Sequence, residues 1–143
     1  MVQTSDVPSP ACSFELTVRY AETDAQGIVH HAGYLVWFEE GRSDFLRRRG
    51  IPYSELERAG YYVVVAGAEL RYRTPAFYED RLTVETILRR ARGKFLEFGY
   101  RVLRGEMLLV EGTTRHVVVD RDRRPVSLPA RFLDPFCGKA PAE

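Results

Sequence analysis

The residues best placed by type and spacing to do chemistry fall in 18–34, which reads Val18-Arg19-Tyr20-Ala21-Glu22-Thr23-Asp24-Ala25-Gln26-Gly27-Ile28-Val29-His30-His31-Ala32-Gly33-Tyr34. A carboxylate, a permissive glycine and two adjacent histidines stand just ahead of a stretch with helical periodicity. The first backbone N–H groups of a helix lack intrahelical acceptors and carry partial positive charge, so they can stabilise an oxyanion that develops in front of them. Asp24 on the reacting side of such an end can serve as general base toward water or as nucleophile toward a carbonyl. An Asp-x-x-Gly arrangement is equally what an ordinary turn uses to satisfy its own backbone. From these residues alone both readings stand.

The His31 ring either packs near the helix start or orients Asp24, a water or the substrate near neutral pH. His30 is expected to line a pocket or face solvent, and His116, inside a strand, to be a satisfied sheet residue. Arg89-Arg90-Ala91-Arg92-Gly93-Lys94 reads as a basic hairpin turn, which is either simply solvated or suited to gripping phosphates. It lacks the interleaved aromatics of an RNA-stacking platform. Other chemistries lack their residues. Ser43 follows Gly41-Arg42 inside the helix without the closing glycine of a nucleophile elbow, and neither a phosphate-binding Gly-Lys-Ser/Thr loop nor a dinucleotide fingerprint occurs. Adjacent His30-His31 chelates poorly on a strand or a helix, and no metal site is expected. Cys12 and Cys137 lie near opposite ends without metal spacing, which points to a reducing, cytoplasmic setting rather than a disulfide framework.

The elements that must position these residues follow from hydrophobic period. Phe14-Glu15-Leu16-Thr17-Val18-Arg19-Tyr20 alternates as a half-buried strand does. Over 33–49, Tyr34, Leu35, Phe38, Arg42, Phe45, Leu46 and Arg49 recur at three- and four-residue intervals. Glu39, Glu40, Asp44, Arg47 and Arg48 interleave, acids before bases, as the helix dipole favours. Gly50 and Pro52 end this amphipathic helix, and a short helical turn over 54–59 follows. Gly41 in its middle costs about 1 kcal/mol against alanine, which reflects either close backbone approach to a sheet or drift. The period then changes to two over 62–73, 81–88, 94–103 and 107–119, with turns at Ala91-Arg92-Gly93 and Arg104-Gly105-Glu106. One strand, one long helix and four strands joined largely as a meander make an α+β fold with a single antiparallel sheet.

Composition bounds the partners. A chain of 143 residues is one domain's worth, long enough to bury roughly two-thirds of its unfolded surface. At 45% hydrophobic and 29% charged it is neither disordered nor membrane-embedded, and no apolar run approaches the about 18 residues of a membrane span. The net charge of +1 gives no overall bias toward nucleic acid or membrane, and neither is expected as a partner. Residues 1–13, with Pro8 and Pro10, read as a flexible tail, 14–133 as a single domain, and 134–143 as a second tail.

The run from Arg19 to Arg42 resembles the signature of the 4-hydroxybenzoyl-CoA thioesterase family of hotdog-fold proteins, in particular its bacterial short-chain acyl-CoA thioesterase branch. Tyr20, Glu22-Thr23-Asp24, Gly27, Val29, His30-His31, Ala32, Tyr34, Phe38-Glu39 and Arg42 carry it in the family's spacing, and Thr74-Pro75-Ala76 extends it over 14–128. The resemblance implies a hotdog fold, an antiparallel sheet of about five strands wrapped around the long helix, assembled as a homodimer or homotetramer. It implies hydrolysis of an acyl-CoA to free acid and CoA with no cofactor, coenzyme A being part of the substrate. Asp24 matches the family's catalytic aspartate, and His31 the residue whose backbone N–H polarises the thioester carbonyl. Gly27, Val29, His30 and Tyr34 are expected about the substrate. Arg89, Arg90, Arg92 and Lys94 match basic loop residues that hold CoA phosphates, sometimes from a neighbouring subunit. His30 stands where the family usually has tyrosine or tryptophan, a departure that bears on the acyl pocket rather than on the reaction. An acyl carrier protein as substrate carrier, a non-hydrolytic acyl-binding role and hydration of enoyl thioesters stay open as alternatives.

Overall fold

The computed structural model describes residues 12–137. Strand β1 spans Cys12–Thr17, so it starts earlier and ends sooner than the alternation to Tyr20 implies. The chain leaves the sheet where Arg19 closes a single 3-10 turn, Tyr20–Glu22, against the Glu22 carboxylate. Its N–H and guanidinium donate to the Glu22 carboxylate at 2.8 and 3.1 Å. Helix α1, Gly33–Arg48, follows the 18–32 segment and stops where Gly50 takes a φ of +77°. A short helix, α2, covers Tyr53–Arg58.

The remaining strands are β2 (Tyr62–Tyr72), β3 (Arg81–Arg92), β4 (Phe95–Arg104) and β5 (Met107–Val119), and the five-stranded antiparallel sheet has the order β1-β3-β4-β5-β2. The meander therefore holds for β3, β4 and β5 only. Strand β2 lies beyond β5 at the opposite edge from β1, and 73–80 carries the chain back across. Two further expectations are corrected. The basic cluster is not a turn: Arg90↔Glu97, Ala91↔Leu96 and Arg92↔Phe95 continue the ladder past a bulge at Arg89, leaving only Gly93 and Lys94 to reverse the chain. The segment from Asp134 is not a tail as far as it is described. Helix α3, Ala130–Phe136, sets Phe132 and Phe136 four residues apart on one buried face, with Phe136 6.5 Å from Phe98 between ring centroids. No helix among the described residues is long and apolar enough to cross a membrane.

One face of the sheet is apolar and holds α1. Leu82, Val84 and Leu88 of β3, Leu96, Phe98 and Val102 of β4, and Val110 and Val118 of β5 form it. The helix answers with Tyr34, Trp37, Phe38, Phe45 and Leu46; Leu35, expected on this face, is 38% exposed and Trp37 takes its place. Phe38 stacks on Tyr100 with centroids 4.1 Å apart, and Phe45 meets Phe98 edge-on at 5.6 Å. The two surfaces approach so closely because glycines stand at the contacts. A Cβ on Gly41 would run into the Thr86 hydroxyl, and one on Gly112 would lie 2.5 Å from Phe38. Of the two sequence readings of Gly41, close approach is the one the structure bears out.

A polar chain runs through this core. Arg42, 7% exposed, donates from Nη1 to the Tyr100 hydroxyl at 3.1 Å and from Nε to the Tyr53 hydroxyl at 3.3 Å. Tyr100 Oη and Thr114 Oγ1 are 2.5 Å apart, and His116 Nε2 lies 2.8 Å from the same Thr114 oxygen. Burial pushes the Tyr100 phenol up to about 12, and burial with the nearby Arg42 charge pushes His116 down to about 3. His116 is thus a neutral sheet residue. Its Nε2 is paired with Thr114 while its buried Nδ1 has no hydrogen-bond partner among the described residues, so the satisfied residue expected from its strand position is met at one nitrogen only.

Two outcomes follow from this packing. Gly41→Ala forces α1 off β3 and should cost about 1–3 kcal/mol in urea unfolding; wild-type stability would mean that the contact has room. His116 titrates at its ordinary 6.5 in the unfolded chain and near 3 in the fold. Its contribution is therefore complete above pH 6.5 and is lost as pH falls toward 3, because only the unfolded chain takes up the proton. The unfolding midpoint of His116→Gln should fall less over that window than that of wild type; parallel slopes would refute a neutral buried imidazole.

Candidate active site

The loop carrying Asp24 is a tight reversal clamped at its base. Thr23 and Val29 form an antiparallel bridge, Asp24 N–H donates to Ile28 O at 2.9 Å, and Gly27 N–H returns to Asp24 O at 2.9 Å with Gly27 at φ +82°. That positive φ is why a glycine stands there. The loop is tied into the fold by Val29 N–H to Ala76 O and His30 N–H to Glu22 O, both 2.9 Å. Glu22 also accepts from Trp37 Nε1 at 2.9 Å, which pins the 3-10 turn to the first turns of α1. Burial raises the Glu22 pKa, but the Arg19 backbone N–H, the Trp37 indole and the Arg19 guanidinium outweigh it, and the net shift is downward.

Within this frame one Asp24 oxygen is spoken for and the other is not. Oδ1 accepts from the Gln26 N–H at 2.9 Å, the turn bond that the plainer sequence reading anticipated. Oδ2 lies 3.7 Å from His30 Nδ1, beyond hydrogen-bonding distance. The Asp24 side chain is 27% exposed and borders a cleft of about 330 Å³ with Gln26, Ile28, Val29, His31 and Tyr34. The last residue of β2, Tyr72, and the start of the crossover, Arg73, Thr74 and Pro75, supply the facing wall. The N–H groups of His31 and Ala32, at the entrance to α1, have no intramolecular acceptor among the described residues. Asp24 and His31, whose N–H is unpaired ahead of the helix, thus border one cavity, an arrangement able to activate water, or attack directly, and to hold an oxyanion.

Of the residues singled out in the sequence, Asp24, Val29, His31 and Tyr34 line this cleft. Gly27 shapes the loop without lining it, and His30 stands outside, its ring 4.2 Å from that of His31. The basic residues are elsewhere on the single chain. Arg90 and Arg92 border a separate concavity of about 660 Å³ with Phe95, Glu97 and Arg115, while Arg89 lies over Gly99. Lys94 sits beside Phe95 at the hairpin end. Sequence reasoning missed Tyr72 and Arg73, although the adjacent Thr74-Pro75-Ala76 had marked the place, and it missed Glu22 as the loop's anchor.

The structure is a hotdog arrangement, an α+β fold whose sheet wraps one principal helix. Comparison with known proteins places it further. The model of the thioesterase-like superfamily matches residues 18–136. The acyl-CoA thioesterase YbgC of Haemophilus influenzae is 34% identical over 126 residues, 87% of this chain and 93% of that protein. A hypothetical protein of Thermus thermophilus superposes with a TM-score of 0.84 at 37% identity, over 90% of this chain and 98% of that one. One from Aquifex aeolicus gives 0.84 at 35%, over 87% and 98%. The chain belongs to the thioesterase-like superfamily.

The anchoring role of Glu22 gives a direct check. Glu22→Gln keeps the shape but weakens charge-assisted bonds, and should cost about 1–2 kcal/mol in unfolding free energy. The emission of Trp37, the single tryptophan, should shift with it. An unchanged spectrum and stability would remove Glu22 from the loop's support.

Proposed function

We propose that this chain hydrolyses acyl-CoA thioesters to free acid and CoA, with Asp24 as the general base or nucleophile. The observation that carries the reading is the meeting on one cleft, just ahead of α1, of the Asp24 carboxylate with His31, whose N–H has no intramolecular acceptor among the described residues. With the thioester carbonyl oxygen at that N–H, its carbon becomes electrophilic. In the general-base route Asp24 takes a proton from water as the water oxygen bonds to that carbon. The oxyanion then collapses, the C–S bond breaks, and the proton ends on the departing thiolate. In the nucleophilic route an Asp24 oxygen bonds to the carbon first, CoA leaves, and water hydrolyses the mixed anhydride. Water, a carboxylate and backbone amides suffice for either, and the proposed reaction draws on no metal or redox cofactor.

The name of the Haemophilus relative supports the substrate class. Assembly into a homodimer or homotetramer belongs to the same proposal. It is supported by β2, an 11-residue strand at a sheet edge whose Val64 and Val65 are 42% and 53% exposed, a template for pairing with a second copy. Assembly would also offer a route for Arg89, Arg90, Arg92 and Lys94 of a neighbouring subunit to approach the nucleotide arm of CoA.

The test is thiol release from a panel of short aliphatic, long-chain and aromatic acyl-CoA esters, run on wild type and Asp24→Asn. The substitution should lower kcat at least about a hundredfold while the fold melts as before. Equal turnover by both would defeat the mechanism. Failure of wild type to release thiol from any ester while still binding it would favour the non-hydrolytic role, and loss of enoyl absorbance without thiol release would favour a hydratase.

A further inference from the structure

Where β2 ends at the cleft, a second hollow begins. Tyr72 ties that end to the helix start by donating its hydroxyl to the His31 carbonyl at 2.8 Å. The next residue, Arg73, borders the Asp24 cleft and also a polar groove of about 400 Å³ on the outer, helix-free face of the sheet. Glu69, Arg71, Arg89, Glu111 and Thr113 line the groove with it. Both acids are already engaged, Glu111 with Arg73 and Glu69 with Arg115 at 3.5 Å. Arg71 and Arg89 have no hydrogen-bond or ion-pair partner among the described residues. The Arg89 guanidinium lies over Gly99, where any Cβ would run into it. Two unpaired guanidiniums beside a third make a cradle for a polyanion, and their planar forks match phosphate oxygens.

Strand register gives the reach. Gly99, beneath Arg89, pairs with Thr113, and Thr113 pairs with Glu69, three residues before Tyr72. That is about 10 Å along the strands and about 10 Å across them, a diagonal that an extended pantetheine arm spans. Arg90 and Arg92 lie farther off. Their rows meet β2 at Gly67 and Val64, about 17 and about 26 Å from Tyr72 along the strand. We infer that the groove of Arg71, Arg73 and Arg89 holds the diphosphate of a CoA thioester whose acyl end lies in the cleft of the same chain. The inference rests on the reading of that cleft as the thioester site. It moves the phosphate contacts within one chain from Arg90 and Arg92 to Arg71 and Arg73, and keeps Arg89. Such contacts are as strong in the bound ester as in the transition state, so they set KM and the preference for CoA over a phosphate-free thiol, and leave kcat alone.

The experiment compares an acyl-CoA with the pantetheine thioester of the same acid, which carries no phosphate, on wild type and on the double variant Arg71→Gln, Arg89→Gln. The double variant should raise KM for the acyl-CoA at least about tenfold, hold kcat within about twofold, and leave KM for the acyl-pantetheine unchanged. Arg81→Gln removes a positive charge from the same face toward the opposite edge, where Arg81 pairs with Glu15, and should behave as wild type with both esters. A rise in KM as large for Arg81→Gln would reduce the effect to net charge and overturn the groove, as would a double variant with wild-type KM for the acyl-CoA. Calorimetry with free CoA and with 3′-dephospho-CoA reads the groove without turnover. The double variant should weaken both alike, and a loss confined to CoA would overturn the diphosphate assignment. If wild type releases no thiol, or Asp24→Asn stays fully active, the hydrolytic reading falls while the calorimetry still decides the groove.

Discussion

The close seating of α1 on its sheet is the constraint from which the rest follows. A helix lying on a sheet normally keeps side chains between the two backbones. Here Gly41 lies against Thr86 and Gly112 lies beneath Phe38, so the backbones come together at two fixed places. Phe38 then stacks flat on Tyr100 rather than wedging the layers apart. With its middle held, the helix cannot slide or roll appreciably, and its first two turns become a rigid arm about 12 Å long from Gly41 to Gly33. The His31 and Ala32 amides sit in the turn just ahead of that arm, joined to it by the Gly33 N–H to His30 O bond at 2.8 Å. An amide that is to meet a developing charge without reorganising must be held in this way.

The loop has a different task, to keep a carboxylate near the positive end of the helix without letting the two neutralise each other. Two acids two residues apart divide the work. Glu22 spends its oxygens on Arg19 and on the Trp37 indole, and its pKa is held down by those bonds. It joins the turn to the helix and has nothing left for substrate. Asp24 commits one oxygen to the Gln26 amide, which restrains the side chain, and its other oxygen makes no hydrogen bond among the described residues. The His30 ring, 3.7 Å from that oxygen and 52% exposed, is too distant and too well solvated to bind it tightly. Identical functional groups in one short segment are thus set apart by their hydrogen bonds, Glu22 fully committed to anchoring and Asp24 with one oxygen unbonded.

Much of this was legible in the sequence where one physical signal dominated. The strands β3 to β5 alternate largely because one face is apolar, and α1 shows its three- and four-residue recurrence because one stripe is buried. The signal failed where two requirements overlapped. Alternation continues from Thr17 to Tyr20, yet the Arg19 and Glu22 pairing bends the chain out of the sheet. The arginines at 89, 90 and 92 read as a turn by polarity, although a strand whose outer face meets solvent accepts them as readily. Pro135 obscured the spacing of Phe132 and Phe136 that makes α3. Half of the candidate site was contiguous in sequence and therefore visible: Asp24, Val29, His31 and Tyr34. The opposite wall, Tyr72 to Pro75, is brought in by a strand that pairs with β5 rather than with its successor, a choice no local pattern announces.

That pairing also sets whether the site closes at all. Successive side chains on a strand face opposite ways, so a slip of one residue would carry Tyr72 to the solvent face and its hydroxyl away from His31. Register is held by Tyr72↔Val110 and Leu70↔Gly112, next to the glycine that admits Phe38, while the irregularity between Val65 and Gly67 absorbs the mismatch farther along. The contact that seats the helix and the ladder that orients Tyr72 therefore share Gly112. Because β2 is an edge strand, its other side is open to pairing, and a second copy bound there would stiffen the strand whose last residue holds the His31 peptide. Pairing of a second copy along this edge would couple assembly to the geometry of the cleft through one strand, with no motion of the core required.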